Sequence, residues 1–186
     1  MIIFMKRLFD IVFSLVALIV FFIPMSLISL LIIFREKHPL FFKQERIGKD
    51  KKVFKIFKFQ SMADQKITKT GRIIRKTGLD ELPQFINVLK GDMSIVGPRA
   101  LTLFDIERLN WNTDYHTIRW TTKPGITGLA QIYGGQHRLI SWFWDVHYID
   151  NHHVVKDFII VVISFLMNIF GKTPIRRIVF SNQYLK

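Results

Sequence analysis

The sequence has no cysteine among its 186 residues and few acidic side chains. The missing thiols exclude a disulfide framework and thiolate chemistry, and they suit a protein that faces the cytoplasm. Internal repeats and low-complexity linkers are absent as well. At this length we expect one globular domain with its own core, since two such domains would need a longer chain.

The scarcity of acidic residues leaves a large positive charge. Only 14 Asp and Glu oppose 27 Lys and Arg, which gives a formal net charge of +13. Such an excess indicates an anionic partner, for which nucleic acid, a phosphorylated substrate and an acidic lipid surface are the candidates. Hydrophobic residues make up 49% of the chain, so its composition lies between those of soluble and membrane proteins.

Residues 8 to 34 form an almost uninterrupted apolar run that is long enough to cross a bilayer. Pro24 lies inside the run, where it removes a helical hydrogen bond and predicts a kink. Basic residues flank both ends: Lys6, Arg7, Arg35 and Lys37. Because a spanning helix normally has its basic excess on one side, we expect a helix-break-helix hairpin that enters the membrane and returns. One kinked spanning helix is the alternative.

Two further features belong to this membrane interpretation. Asp10 lies near the start of the run, where it is either paired with Lys6 or Arg7 or solvated among lipid headgroups. Residues 158 to 170 form a second apolar run that is too short to span, which predicts a helix at the membrane surface or in the core. The basic tail is expected to lie against anionic lipid: Lys172, Arg176, Arg177 and Lys186.

Between the apolar runs, the pattern predicts a small β-hairpin and a longer helix. Apolar and polar residues alternate in part over residues 53 to 59, after a turn at residues 48 to 50, which favours a strand or hairpin. Residues 100 to 123 are expected to form a helix whose apolar side carries Leu101, Phe104, Ile106 and Leu109.

Asp80 and Glu81 stand side by side where a helix is predicted to begin. Apolar residues recur after them at helical spacing, and Pro83 is tolerated only in a first turn, which places Asp80 at or near the N-cap. Ordinary capping explains an acidic helix start. Basic residues also lie near the pair in the sequence, however: Arg72, Arg75, Lys76 and Arg99. Carboxylates among arginines suit a site that handles phosphates and a divalent cation.

These residues belong to a set of motifs that resembles a known family. The set consists of Lys6-Arg7-Leu8-Phe9-Asp10, residues 39 to 48, residues 57 to 62, Asp80-Glu81-Leu82-Pro83-Gln84, residues 91 to 99, residues 124 to 131 and Asp145-Val146-His147-Tyr148. In this order they resemble the bacterial sugar transferases, the monotopic phosphoglycosyl transferases, over nearly the whole chain. Those enzymes move a phosphosugar from a nucleoside-diphosphate sugar onto a membrane polyprenol phosphate.

The resemblance implies a reaction and a set of site residues. It makes Asp80 the nucleophile that attacks the sugar-bearing phosphorus of a UDP-sugar, with release of UMP and a covalent phosphosugar–aspartyl intermediate. Undecaprenyl phosphate then resolves that intermediate. Glu81 is assigned to metal positioning or acid–base chemistry, Mg²⁺ is the cofactor held by Asp80 and Glu81, and the phosphate-binding candidates are Lys58, Arg75 and Arg99.

The resemblance and the residue chemistry together imply an architecture. We expect a mainly α fold with a small β-hairpin (α+β), a re-entrant membrane hairpin over residues 1–37, and a cytoplasmic catalytic domain with membrane-surface helices over residues 38–186. The hairpin residues singled out are Lys6, Arg7, Asp10 and Pro24. The expected location is the bacterial inner membrane with the catalytic domain facing the cytoplasm, the expected partners are the bilayer and both substrates without nucleic acid, and a homo-oligomer is an open possibility.

The sequence departs from the family pattern at two places. Ile23 stands before the hairpin proline where the family commonly has serine, and Ser26 follows Pro24 as a candidate substitute. Gly134 and Gly135 precede Arg138 where the family pattern has an arginine earlier. The alternative functions are a membrane-anchored nucleic-acid-binding protein, suggested by the charge, and a non-catalytic membrane scaffold. Neither one requires the adjacent acids that are present here.

Overall fold

A computed structural model gives the structure of residues 2–133 and 137–179; Lys186 and Gly134–Gly135 lie outside these described residues. The fold is mainly helical with small two-stranded sheets, as predicted. The helices are α1 (Ile2–Val20), α2 (Phe22–Leu30), α3 (Lys69–Thr77), α4 (Gln84–Lys90), α5 (Leu103–Leu109), α6 (Leu129–Tyr133), α7 (Arg138–Asn151), α8 (Val154–Phe170) and α9 (Lys172–Val179). The strands are β1 (Phe41–Ile47), β2 (Val53–Phe59), β3 (Met62–Ala63), β4 (Lys66–Ile67), β5 (Ser94–Val96) and β6 (Gly125–Thr127).

The N-terminal apolar run forms two helices with a bend of 57° between them. The break is at Phe21, and Pro24 lies in the first turn of α2. Pro24 has no N–H to donate to the carbonyl of Val20, four residues earlier, which accounts for a break just upstream of the proline. Among the described residues no single helix is long and apolar enough to cross a membrane, whereas this bent pair meets both criteria as a unit.

Ser26 does not serve the carbonyl that Pro24 leaves without a donor. Its hydroxyl donates to the carbonyl of Phe22 at 2.8 Å, and the hydroxyl of Ser29 donates to that of Met25 at 2.7 Å. Both hydrogen bonds stay within α2, so they reinforce the second helix instead of bridging the bend.

Polar side chains fasten α1 to the rest of the fold. Lys6 Nζ lies 2.7 Å from Oδ2 of Asp157 on α8, a carboxylate with no exposed surface. Asp10 is 2% exposed and accepts hydrogen bonds from the Ser94 hydroxyl and the Ile95 N–H, both at 2.9 Å. Asp10 is therefore buried and hydrogen-bonded, with Lys6 3.9 Å away, and is not solvated among headgroups.

Arg7 connects α1 with α4. Its guanidinium donates to the carbonyls of Val88 and Leu89, at 2.6 and 2.9 Å, in the last turn of α4. A cation at this end of a helix satisfies carbonyls that lack helical partners and opposes the negative end of the helix dipole.

The predicted β-hairpin is confirmed and is longer than the alternation indicated. Strands β1 and β2 pair antiparallel from Phe41↔Phe59 to Ile47↔Val53, across the turn that begins at Gly48. This register places Lys58 opposite Phe42, near the end of the hairpin distant from the turn. Ile56 is 4% exposed and Phe59 is 2% exposed; they point to opposite faces of the strand and belong to two separate buried clusters.

Strands β5 and β6 form a parallel pair whose backbones approach closely. A Cβ on Gly97 would lie 2.4 Å from the carbonyl oxygen of Lys123, and one on Gly125 would lie 2.1 Å from the nitrogen of Gly97. Both glycines are required because any side chain would meet backbone atoms. The contact holds the turn at residues 97–99 against the turn at residues 124–125.

The prediction of one helix over residues 100 to 123 is wrong. Helix α5 begins after Thr102, whose hydroxyl caps it by accepting from the Asp105 N–H, and it ends at Asn110 with a left-handed φ of 53°. A 3-10 segment, Asp114–Thr121, follows. Phe104 is 69% exposed, whereas Ile106 and Leu109 are buried, so the expected apolar surface is divided between the core and the outside.

Large apolar side chains are exposed on α1, α2 and α8. They include Phe4, Ile19, Phe22 and Ile23 on α1 and α2, each more than 65% exposed, as is Phe34 in the π-helical segment Leu31–Glu36 that follows α2. On α8, which covers the second apolar run, Phe158 and Phe165 are 56% and 55% exposed. Soluble monomers seldom expose so much continuous apolar surface, which therefore marks a surface for lipid or protein contact.

Candidate active site

The acidic pair lies in a short turn between two helices. Helix α3 ends at Gly78, whose φ of +73° reverses the chain, and Leu79–Glu81 then form one 3-10 turn. Helix α4 begins at Gln84, with Pro83 in the capping position. The spacing predicted Asp80 at or near the N-cap of α4. That position is occupied by Pro83, and Asp80 lies three residues before it. The apolar side of α4 also differs from the prediction, because Ile86 is 38% exposed while Gln84, Asn87 and Val88 are buried.

Glu81 forms an ion pair with Lys58 on β2. The ammonium of Lys58 donates to Oε1 of Glu81, which joins the hairpin to the acidic turn. Both side chains are partly exposed, with 20% and 35% of their surfaces accessible. Lys58 was predicted to bind substrate phosphate, which stays a prediction; what the structure shows is that its ammonium holds the carboxylate next to Asp80 in one orientation.

Asp80 lies half-buried with an elevated pKa. Burial raises the pKa of this carboxyl, and the negative charge of Glu81 raises it further, while Lys58 and Arg75 oppose both effects. Its own backbone N–H is the hydrogen-bond donor that contributes to this balance. A carboxylate placed in this way keeps oxygens that are not committed to a salt bridge, and such oxygens are the ones able to attack an electrophile.

The two predicted phosphate-binding arginines occupy different positions. Arg75 is exposed in the last turn of α3, and its charge acts on Asp80. Arg99 follows the glycine contact between β5 and β6, where its backbone bridges to Gly125. Its Nε is buried without a hydrogen-bond acceptor among the described residues. A partly buried guanidinium with an unused donor suits a group that binds phosphate oxygens.

Arg46 is a member of this cluster that the sequence analysis did not single out. It lies on β1 and donates to the Ala100 carbonyl at 3.1 Å and to the Gln44 amide oxygen at 2.6 Å. Burial lowers the pKa of Arg46, and both Arg99 and Glu81 are close enough to affect that pKa. Alternation on β1 could have identified it, because Gln44 and Arg46 share one face of the strand.

The sequence analysis also missed a buried ion pair that contacts the backbone of Arg99. Arg119 donates from Nε to Oδ2 of Asp145 at 2.9 Å and from Nη2 to the Arg99 carbonyl. Both partners are 2% exposed, and the Arg119 guanidinium lies 5.3 Å from the ring centre of Trp111. This buried ion pair fixes the backbone at Arg99. Asp145 was part of a quoted motif, but nothing in its spacing indicated Arg119 as its partner.

The membrane-hairpin residues lie apart from the acidic turn. Lys6 and Asp10 bind β5 and α8, and Arg7 binds the end of α4 that is opposite the acidic pair. Arg138, left open by the family pattern, begins α7 and lowers the pKa of His116, secondary to burial. It is not among the charges that affect Asp80.

Asp80 and Glu81 can hold a divalent cation only together with oxygens from outside the chain. Within the described residues no three His, Cys, Asp or Glu side chains form a group that could enclose a metal. Mg²⁺ is typically bound by one or two carboxylates plus substrate phosphates and waters, and a cage made only of protein ligands is unusual. Two adjacent carboxylates beside phosphate-binding candidates therefore fit this ion.

Comparison with known proteins gives consistent matches. The chain is 38% identical over 176 residues to the uncharacterized sugar transferase EpsL of Bacillus subtilis, covering 86% of this chain and 85% of EpsL. It is 34% identical over 177 residues to the UDP-N-acetylgalactosamine-undecaprenyl-phosphate N-acetylgalactosaminephosphotransferase of Aeromonas hydrophila, covering 85% of this chain and 42% of that protein. It is 40% identical over 144 residues to the UDP-glucose:undecaprenyl-phosphate glucose-1-phosphate transferase of Escherichia coli, covering 70% of this chain and 31% of that protein.

The chain thus spans most of EpsL but less than half of the two larger transferases. A family model described as bacterial sugar transferase matches residues 1–171, a range that contains α1, the hairpin, the acidic turn, Arg99 and the Arg119–Asp145 pair. With more than nine-tenths of its length inside that match, the chain belongs to the bacterial sugar transferase family.

Proposed function

We propose that this protein transfers a sugar 1-phosphate from a UDP-sugar to undecaprenyl phosphate and releases UMP. The observation that carries the proposal is Asp80, a half-buried carboxylate outside any ion pair among the described residues, next to Glu81, which is fixed by Lys58. The names of the Aeromonas and Escherichia relatives describe this class of reaction.

In the first step, a carboxylate oxygen of Asp80 forms a bond to the sugar-bearing phosphorus of the UDP-sugar. The bond from that phosphorus to the bridging oxygen breaks, UMP leaves with the electron pair, and an acyl phosphate joins Asp80 to the phosphosugar. In the second step, a phosphate oxygen of undecaprenyl phosphate attacks the same phosphorus. The Asp80 carboxylate leaves, and a lipid-linked diphosphate sugar is formed.

The neighbouring residues support these steps electrostatically. Arg75 and Arg99 bind the diphosphate oxygens, because a guanidinium meets two of them at once. Lys58 keeps Glu81 in place beside the nucleophile. Bound Mg²⁺, held by Asp80 and Glu81, would neutralise the charge that develops on the leaving UMP.

The proposal also includes the location of the enzyme. The bent pair α1–α2 enters the cytoplasmic leaflet of the bacterial inner membrane and returns, so residues 1–37 form a re-entrant hairpin and residues 38–186 the cytoplasmic catalytic domain. The support is the 57° bend together with the exposed apolar side chains on both helices. This position places the acidic turn where a membrane lipid can reach it.

A burst experiment tests the covalent mechanism. Purified protein is mixed with each of a panel of UDP-sugars and Mg²⁺ without undecaprenyl phosphate, and UMP is measured. One substrate should give about one UMP per protein, with a matching gain in intact protein mass, because the first step needs no acceptor. Asp80→Asn should give no burst and lose turnover by about a thousand-fold or more.

Glu81→Gln is the matched control, since it removes one neighbouring carboxylate charge and leaves the nucleophile. It should slow the burst without preventing the mass gain. UMP release that requires both substrates, or that survives Asp80→Asn, would show that no aspartyl intermediate forms. If none of the UDP-sugars gave UMP, with or without acceptor, that result would contradict the proposed reaction itself.

A further inference from the structure

A cavity of about 330 Å³ lies between α6, α7 and α8, outside the site around Asp80. Its apolar lining includes Leu129 on α6 and Ile160 and Ile163 on α8. One wall is an aromatic stack, in which the rings of Tyr133 and Trp144 are 3.6 Å apart and nearly parallel. The volume lies within the range of about 300 to 1,000 Å³ that is typical of small-molecule sites.

Polar groups line another part of the cavity and carry no negative charge. Lys156, His147 and Asn151 contribute there, and the described lining includes neither Asp nor Glu. Lys156 makes no ion pair or hydrogen bond within the described residues. The Asn151 amide already donates to the His147 carbonyl at 3.1 Å. The cavity thus combines an apolar interior with a cation that has no partner in the described part of the chain.

The cavity continues onto the apolar outer face of α8. Ile159 lines the cavity and is nevertheless 51% exposed, so it lies at the opening. Val155 and Phe158 beside it are 61% and 56% exposed. An apolar molecule lying against this outer face can therefore enter the cavity without crossing a polar surface.

We propose that this cavity binds one anionic phospholipid of the membrane leaflet. Its acyl chain lies against Leu129, Ile160 and Ile163, and its phosphate lies at Lys156. The exposed face of α8 provides the route from the bilayer, and the unpaired ammonium selects a lipid with a negative headgroup. This inference concerns a site other than the acidic turn and does not depend on the transfer reaction.

The test uses the full-length protein in detergent with a phosphatidylglycerol that carries a photoreactive diazirine at the end of one acyl chain. After irradiation and digestion, label should appear on peptides containing residues 129–133 or 159–163. Lys156→Glu should reduce that label about tenfold or more, because the charge reversal replaces attraction for the headgroup by repulsion. Lys156 is exposed, so the variant should fold, which an unchanged melting curve verifies.

Lys66→Glu is the matched control, since it makes the same charge change at an exposed residue that does not line the cavity. It should leave the label at residues 129–133 and 159–163 unchanged. Label confined to α1, α2 and residue 158, or an equal loss in both variants, would overturn the proposal. Displacement of the probe by undecaprenyl phosphate at concentrations where phosphatidylglycerol does not compete would also overturn it, because the occupant would then be a polyprenol.

Discussion

At the scale of single residues, the two adjacent acids of the candidate site differ in their surroundings. Glu81 has a cationic partner in Lys58, whereas Asp80 is partly desolvated beside a second negative charge. The raised pKa of Asp80 means that its ionised form is disfavoured in the folded protein. If Asp80 is the nucleophile, as proposed, its reactive, ionised form is therefore maintained at a cost to folding stability.

Asp80→Asn should accordingly unfold at a higher temperature than wild type near neutral pH. For a carboxyl whose pKa is higher in the folded than in the unfolded state, stability falls as pH rises between those two pKa values. The amide has no such dependence, so the gain should disappear below the ordinary pKa of aspartate. Melting curves of both proteins from about pH 3 to about pH 7, at roughly unit intervals across the titration range of carboxyls, provide the measurement. A lower melting temperature for the variant at neutral pH would contradict the argument.

The same pKa controls how activity depends on pH. Asp80 must be ionised to attack, so kcat/KM should fall as pH decreases through its pKa. Arg75 lowers that pKa, and its replacement by glutamine should therefore move the acidic limb to higher pH. Arg72→Gln, on the exposed side of the same helix, should leave the limb in place. Equal pH profiles for all three proteins would show that the charge of Arg75 does not lower the pKa of Asp80.

Arg99 offers a separate test of phosphate binding. Arg99→Ala should lower kcat/KM by a factor that corresponds to a loss of about 1–3 kcal/mol in transition-state stabilisation, the usual contribution of a charge-assisted hydrogen bond. Arg99→Lys should recover only part of this loss, because an ammonium cannot make the bidentate contact. Steady-state kinetics with varied UDP-sugar measure both, and wild-type values for Arg99→Ala would mean that this arginine does not bind substrate.

At the scale of elements, the most consequential feature is the break at Phe21. Pro24→Ala restores an N–H that can donate to the Val20 carbonyl, so α1 and α2 should tend to join into one straight, spanning helix. Because the chain has no native cysteine, single cysteines at Ile2 and Lys37 can be labelled in intact cells with an impermeant thiol reagent. The wild-type hairpin should leave both unlabelled until the membrane is permeabilised, and the alanine variant should expose one of them. Labelling of only one position in the wild type would show that the segment crosses.

How far local sequence predicts these elements depends on the range of the interactions that decide them. The β-hairpin and the break near Pro24 follow from alternation and from a missing N–H, which are local properties. The prediction of one helix over residues 100 to 123 was wrong because the Thr102–Asp105 capping box starts helix α5 after residue 102, and Asn110 ends it in a left-handed conformation. The exposure of Ile86 results from where α4 packs, and helical spacing alone does not specify that.

At the scale of the whole molecule, an ion pair between two residues distant in sequence, Lys6 and Asp157, holds α1 on the fold. Lys6→Met should destabilise the protein by about 3–5 kcal/mol, because it leaves the fully buried Asp157 without its cation. The double variant Lys6→Met, Asp157→Asn should recover part of that loss, since Asp157 then carries no charge, while buried Asp10 still lacks Lys6 nearby. Urea unfolding in detergent measures both, and an additive double variant would show that the two residues do not stabilise each other.

Long-range contacts also limit what the sequence reveals about the site. Asp80, Glu81, Arg75 and Lys58 were identified because motifs or nearby positions marked them. The Arg119–Asp145 pair and the role of Arg46 depend on chain segments that meet only in the folded protein. Their residue types are common on ordinary surfaces, so only the packed structure distinguishes them.

The Lys6–Asp157 pair has a consequence for synthesis on the ribosome. The two residues are separated by 151 positions, which take about 8–30 s to translate at about 5–20 residues per second. The apolar helices α1 and α2 therefore emerge from the ribosome long before the carboxylate that neutralises Lys6 has been made. During that interval Asp10, one helical turn away, is the nearest acid available to Lys6. In the proposed topology, the hairpin can therefore enter the membrane first, and the domain that contacts it through Asp157 is completed afterwards.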